Sequence, residues 1–197
     1  SIHRGALQSI LLNAVTERIG AERVQTDRRL IALDQSADGV SATFESADGH
    51  RFGAQGGVLI GADGIHSSVR AHFYPGEGEP IWNGNVLWRG TTRAAPYLTG
   101  RSMVMAGHQS QKFVCYPISR KIEDEGGALI NWIAEIRYSD LPNWRKEDWN
   151  RQVDVSEFLP AFEDWDFGWL KVPEIIRGAE AVFEYPMVDR DPVDAWS

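Results

Sequence analysis

The chain has 197 residues, 43% of them hydrophobic and 24% charged, which is enough apolar material for one good core or one and a half domains at an ordinary charge density. Its net charge of −8 and pI near 5.1 exclude a nucleic-acid or anionic-membrane surface as the main partner, because both need a basic face. A single cysteine, Cys115, excludes an intrachain disulfide framework and fits a cytoplasmic setting; no apolar run nears the roughly 18 residues of a membrane span, and no basic-then-apolar leader opens the chain.

The first element reads as a helix. Leu7, Ile10, Leu11, Ala14, Val15 and Ile19 recur at helical spacing, and Gly20 closes the run. Arg4 stands at the end where the macrodipole favours anions, a slightly unfavourable position unless an anion lies nearby. No initiator methionine precedes Ser1, so the chain is expected to be a processed or excised piece of something longer.

From Arg23 to Asp63 the pattern turns to strands. Leu30–Leu33 and Val40–Phe44 flank a turn at Ser36–Gly39, and a second turn at Ala47–Gly49 leads to Phe52, an antiparallel meander. Val58, Leu59 and Ile60 then form the short apolar run of a strand buried on both faces. Gly61 to Gly64 force a tight turn into a helix, with Ser67 and Ser68 in its first turn and Val69, His72 and Phe73 at helical spacing. A strand, a glycine turn and a helix start together present backbone N–H groups to an anion, commonly a phosphate. Gly-x-x-Gly alone is equally the signature of an ordinary strand-to-helix turn.

Tyr74–Pro80 is a breaker-rich connection and marks a domain boundary. Beyond it, Val86–Thr92, Ser102–Met105, Lys112–Ile118 and Ala128–Ile136 read as four strands of one antiparallel sheet. A short helix is expected from Val155, carrying Phe158, Leu159, Phe162 and Trp165; another spans Val172–Arg177, and Ala181–Val188 returns to strand. Eight tryptophans mean either a thick core or a pocket for a flat ligand. Trp88 and Arg89, just before Gly90, offer a stacking face and a cation for an anionic aromatic. The same pair also reads as a packed strand residue beside a solvated one. Tyr116, Trp132, Tyr185 and Met187 are further candidates whose facing depends on register. The histidines His3, His50, His66, His72 and His108 show no metal spacing and no triad partner, so neither a metal site nor a catalytic side chain is assigned.

The string Gly-Ala-Asp-Gly-x-x-Ser-x-Val-Arg at Gly61 to Arg70 resembles the second fingerprint of the flavoprotein aromatic hydroxylases, the single-component FAD monooxygenases. His3-Arg4-x-x-Leu7 is similar to that family's helix start, and Glu184 to Trp196 resembles the segment preceding its Gly-Asp motif. Trp-Arg-Gly at 88–90, Asp-Trp-Asp-Phe-Gly-Trp at 164–169 and Tyr-Pro-Met-Val-Asp-Arg-Asp-Pro at 185–192 are most similar to its phenazine-hydroxylating members. The resemblance implies an α/β (α+β) fold: part of a glutathione-reductase-type FAD-binding domain over residues 1–75, an antiparallel-sheet substrate domain over 76–190, and the start of a return to the first at 191–197. A Gly-x-Gly-x-x-Gly motif and a Gly-Asp motif would flank this stretch.

By the same resemblance, Arg4, Asp63, Gly64 and Arg70 would bind FAD, and Trp88, Arg89, Tyr116 and Tyr185 would bind a small aromatic substrate. NADH or NADPH would reduce the flavin, and a flavin C4a-hydroperoxide would pass one oxygen of O₂ to the ring, with the protein supplying positioning and dryness. A homodimer is a further expectation. Two alternatives remain: a cofactor-free, inactive fragment, or a related epoxidase, halogenase or reductase. A halogenase would need an active-site lysine, and Lys112, Lys121, Lys146 and Lys171 fall in no such motif.

Overall fold

The computed structural model describes residues 2–138 and 151–196, and within it the chain divides into two compact units: Ser1–Ser9 with Trp82–Val188, and Ile10–Ile81 with Asp189–Ser197. Lys146 lies outside the described residues.

Helix α1 spans Arg4–Ile19, and Gly20 ends it at φ 97, a left-handed value that costs glycine little. The helical periodicity is as read, yet no residue of α1 is buried. In the smaller unit, β1 (Arg29–Ser36), β2 (Gly39–Glu45) and β3 (Arg51–Gly56) form a three-stranded antiparallel meander in the order β1-β2-β3. The expected buried strand at Val58–Ile60 is corrected: these residues form no strand, and Val58 and Ile60 are 80% and 83% exposed. An apolar run becomes a buried strand only when neighbouring backbone pairs with it, and no described residue supplies that ladder. Helix α2 (Ser68–Phe73) follows the glycine turn.

The larger unit is built on a five-stranded sheet in the order β5-β6-β7-β4-β8, from β4 (Ile81–Ala94), β5 (Val104–His108), β6 (Gln111–Pro117), β7 (Ala128–Arg137) and β8 (Ala179–Asp189). β4 and β6 both pair antiparallel to β7, placing Trp88 and Phe113 opposite Ala134 and placing Gly90 and Cys115 opposite Trp132. Because strand side chains alternate, these residues share one face. That face is the core, where Val86, Phe113, Cys115, Ile130, Trp132 and Ala134 are fully buried. Gly90 is required there, since a Cβ would stand 2.5 Å from Trp132 Cζ2.

Residues 155–170 cover that core. The helix expected from Val155 is instead two 3₁₀ turns, Val155–Glu157 and Leu159–Phe162. Pro160 has no N–H to donate and disfavours helical backbone at Leu159, so i→i+3 bonds such as Ala161 N to Phe158 O (3.1 Å) close the turns. Phe158 and Phe162 still reach the core, with Phe158 stacked on Trp88 at 4.5 Å and 8°. Helix α4 (Val172–Arg177) forms where expected. A five-residue helix, α3 (Arg120–Asp124), was not anticipated; Ser119 caps it by accepting from Ile122 N.

Candidate functional site

In the smaller unit the glycine turn is locked from within. Asp63 Oδ2 accepts from Ser68 N (2.7 Å) and Val69 N (3.3 Å), Oδ1 accepts from the Ser67 hydroxyl (2.5 Å), and Ser67 Oγ accepts from Arg70 N (2.9 Å). Partial burial pushes the Asp63 carboxyl pKa up, but the hydrogen bonds from Ser67, Val69 and Ser68 outweigh it and hold the group below its ordinary range. The orphan N–H groups at the start of α2, which the sequence offers to an anion, are therefore taken by the motif's own aspartate. Gly64 adopts φ 79 with no atom within 4 Å of where a Cβ would stand, while a Cβ on Gly61 would lie 3.0 Å from Val69 Cβ. Gly61 thus lets the turn lie against α2, and Gly64 leaves its backbone approachable. A cavity of about 460 Å³ borders this turn, lined among others by Gly61, Asp63, Gly64, Ser67, Phe73 and Trp196.

Arg70 is committed elsewhere. Its Nε donates to Glu77 Oε2 (2.8 Å) and its Nη2 to Asp191 O (2.7 Å), and Glu77 also accepts from Arg190 Nη1 (3.0 Å). Arg190 Nε donates to Ile65 O (2.8 Å), and the Tyr74 hydroxyl donates to Ala195 O (2.5 Å). Glu77, between two guanidinium groups, has its carboxyl held below the usual range, chiefly by the Arg70 hydrogen bonds. This network fastens residues 190–195 to the fingerprint turn.

In the larger unit, alternation separates the neighbours Trp88 and Arg89 onto opposite faces of β4. Trp88 is 2% exposed in the core, and its Nε1 donates to the buried Glu184 Oε2 (3.1 Å), which also pairs with Arg151. The expectation that Trp88 offers a stacking surface beside Arg89 is corrected on this geometry. The same holds for Trp132, which is fully buried with Nε1 donating to Thr92 Oγ1 (3.0 Å).

Arg89 lies on the other face, its guanidinium 5.3 Å from the Tyr185 ring centroid and its Nε buried without a hydrogen-bond partner. Among the described residues no carboxylate pairs with Arg89 or with Arg4. Burial, and then the charge of Arg4, pull the Arg89 pKa down, while Tyr185 and Tyr116 act in the opposite direction. Arg4, Arg89, Tyr116 and Tyr185 therefore share one electrostatic neighbourhood. Asn131, opposite both Thr91 and Tyr116, and Ile133, opposite both Arg89 and Val114, share that face, and on the other side of Ile133 it carries the Lys112–Glu135 ion pair (3.1 Å). Reading the sequence missed Asn131 because only the β7 register reveals which neighbours it has.

No family model matches the chain. It is similar to the phenazine 1,6-dicarboxylic acid hydroxylase PhzS of Lysobacter antibioticus, at 38% identity over 100% of this chain and 49% of that protein. It is also similar to the 3-amino-4-hydroxybenzoate 2-monooxygenase PtmB3 of Streptomyces platensis, at 31% identity over 84% of this chain and 38% of that protein. The chain thus spans about half, or less, of the curated relatives it matches. In fold it is similar to HpxO of Klebsiella pneumoniae, solved with FAD and uric acid, at a TM-score of 0.65 and 20% identity over 94% of this chain and 43% of that one.

Proposed function

We propose that this chain, homologous along its whole length to the FAD-dependent aromatic hydroxylases, is part of a flavin monooxygenase that hydroxylates a flat aromatic or N-heteroaromatic acid, phenazine-like in shape, using NADH or NADPH and O₂. The observation that carries the substrate class is Arg89, a cation with a buried, unpartnered Nε set over the Tyr185 ring. An unsatisfied buried donor is costly unless a ligand completes it, and a guanidinium fits a carboxylate with charge-assisted bonds.

The residues present suit part of an FAD. In the smaller unit the Gly64 backbone is open to close approach, Gly61 and Gly64 border the cavity, and Asp63 and Arg70 hold that turn in place. In the larger unit Arg4, which pairs with no carboxylate among the described residues, is available for an anionic or polar ligand edge. FAD, when bound, supplies the electron transfer to O₂. The chain's own task is to hold the ring flat over Ile133 and Val114, anchor its acid at Arg89 and keep water out.

On this reading residues 1–75 serve the cofactor, 76–190 the substrate, and 191–197 lead back to the cofactor domain. Among the described residues no helix is long and apolar enough to cross a membrane. A cytoplasmic, homodimeric enzyme is the setting we favour, in keeping with the free Cys115. Replacing Arg89 by Ala tests the assignment. Loss of one charge-assisted pair should raise KM for an aromatic carboxylate by about 10- to 100-fold and leave flavin reduction at saturating substrate much less affected; unchanged kinetics would refute it.

A further inference from the structure

Arg89 is not the only polar group left without a partner on its face of the sheet. The Asn131 amide and the Tyr116 hydroxyl make no hydrogen bond to any described residue, and both side chains are half-buried. They are brought together by register: Asn131 on β7 stands opposite Thr91 on β4 and Tyr116 on β6. Two residues along β7 toward its C-terminal end, Ile133 stands opposite Arg89 and Val114. Arg89 and Asn131 are therefore a diagonal cross-strand pair, about 7–8 Å apart at the backbone, and Tyr116 lies one strand further on, about 4.8 Å away. An apolar floor of Ile133 and Val114 adjoins a polar row of Thr91, Asn131 and Tyr116, with the cation at one corner.

We propose that Asn131, assisted by Tyr116, is a specificity-determining residue that binds a ring nitrogen or ring hydroxyl of the substrate while Arg89 holds its carboxylate. This rests on the aromatic-acid reading above and adds a second recognition point to it. The amide carries both a donor and an acceptor, and the phenol does too, so the row accepts either a ring nitrogen or a hydroxyl. A carbocyclic acid of the same outline would leave these groups unsatisfied, and a site built to hydrogen-bond a substrate discriminates against an analogue lacking that atom. The face thus selects flat acids with a polar edge over plain aromatic acids.

The test is an equilibrium titration of the protein, followed by tryptophan fluorescence, with phenazine-1-carboxylate and with its carbocyclic counterpart anthracene-1-carboxylate. The unsubstituted protein should prefer the phenazine by about tenfold, the worth of one good hydrogen bond. Asn131→Leu should reduce that preference to below about threefold and leave anthracene-1-carboxylate binding within about twofold of its original value. Asn131→Val, a good strand former, repeats the measurement should leucine not be accommodated. Arg89→Leu should weaken both acids alike, which separates the carboxylate anchor from the ring-edge contact. An intact preference in the Asn131 variants, or no preference to begin with, overturns the proposal while leaving the aromatic-acid reading standing. Binding of neither acid overturns both.

Discussion

Thr92 carries a buried relay whose strength follows from its partners. Its hydroxyl donates to Ile175 O (2.6 Å) and accepts from Trp132 Nε1 (3.0 Å), and it is 3% exposed beside a fully buried tryptophan. Thr92→Val preserves the side-chain shape, creates no cavity, and leaves one N–H and one C=O buried without partners. Each such group costs about 1–3 kcal/mol. Because the two share one site and relax together, the expected loss is about 2–4 kcal/mol, below the simple sum. Thr92→Ser keeps the hydroxyl and removes only a methyl, for about 1 kcal/mol. Urea unfolding followed by tryptophan fluorescence reads both; at a slope of about 2 kcal/mol/M the valine variant's midpoint should fall by about 1–2 M with the slope unchanged. A valine variant no less stable than the serine variant would show that the hydroxyl contributes nothing beyond volume and that neither buried group depends on it.

Other outcomes follow from the same geometry. Gly90→Ala places a Cβ 2.5 Å from Trp132 Cζ2 and should destabilise by about 1–3 kcal/mol through overpacking, read by the same unfolding curve. Asp63→Ala removes the acceptor for Ser68 N and Val69 N; losing such a cap costs about 0.5–2 kcal/mol, visible as faster amide exchange at Ser68 and Val69. Asp63 and Glu77 both have depressed folded-state pKa values, so their stabilisation is present above the unfolded carboxylate range and is lost as pH falls through the folded values. Amide exchange in residues 61–78 should accordingly accelerate selectively below about pH 4, and an unchanged protection pattern there would contradict the network described.

Element types were largely legible in the sequence, because the apolar, β-branched and aromatic runs Val86–Thr92, Lys112–Ile118 and Ala128–Ile136 read as strands, and along β6 and most of β7 alternate residues take one buried face. Which residue of an adjacent pair takes that face was not. Trp88 and Arg89 read equally well in either orientation until the pairing of Trp88 with Ala134 fixed the register. The fingerprint turn and its helix were found by their glycines and serines. Asp63, however, reaches five residues ahead to Ser68 N and takes the donors that the string offers to a phosphate, a choice made by loop geometry rather than by composition. Val58–Ile60 carries the composition of a buried strand, yet Val58 and Ile60 are exposed, since burial depends on pairing with another segment. Pro160 marks the place where the expected helix gives way to 3₁₀ turns, and that signal was available in the sequence.

If the proposed function holds, the protein containing this chain inserts oxygen from O₂ into an aromatic acid. The most direct measurement is incubation with FAD, NADPH or NADH, an N-heteroaromatic carboxylate and ¹⁸O₂, followed by mass spectrometry of the product. The expected product is a hydroxylated ring carrying one labelled oxygen, with label absent when only the water is enriched. Nucleotide oxidation that yields hydrogen peroxide alone, or a product whose oxygen comes from water, would contradict it.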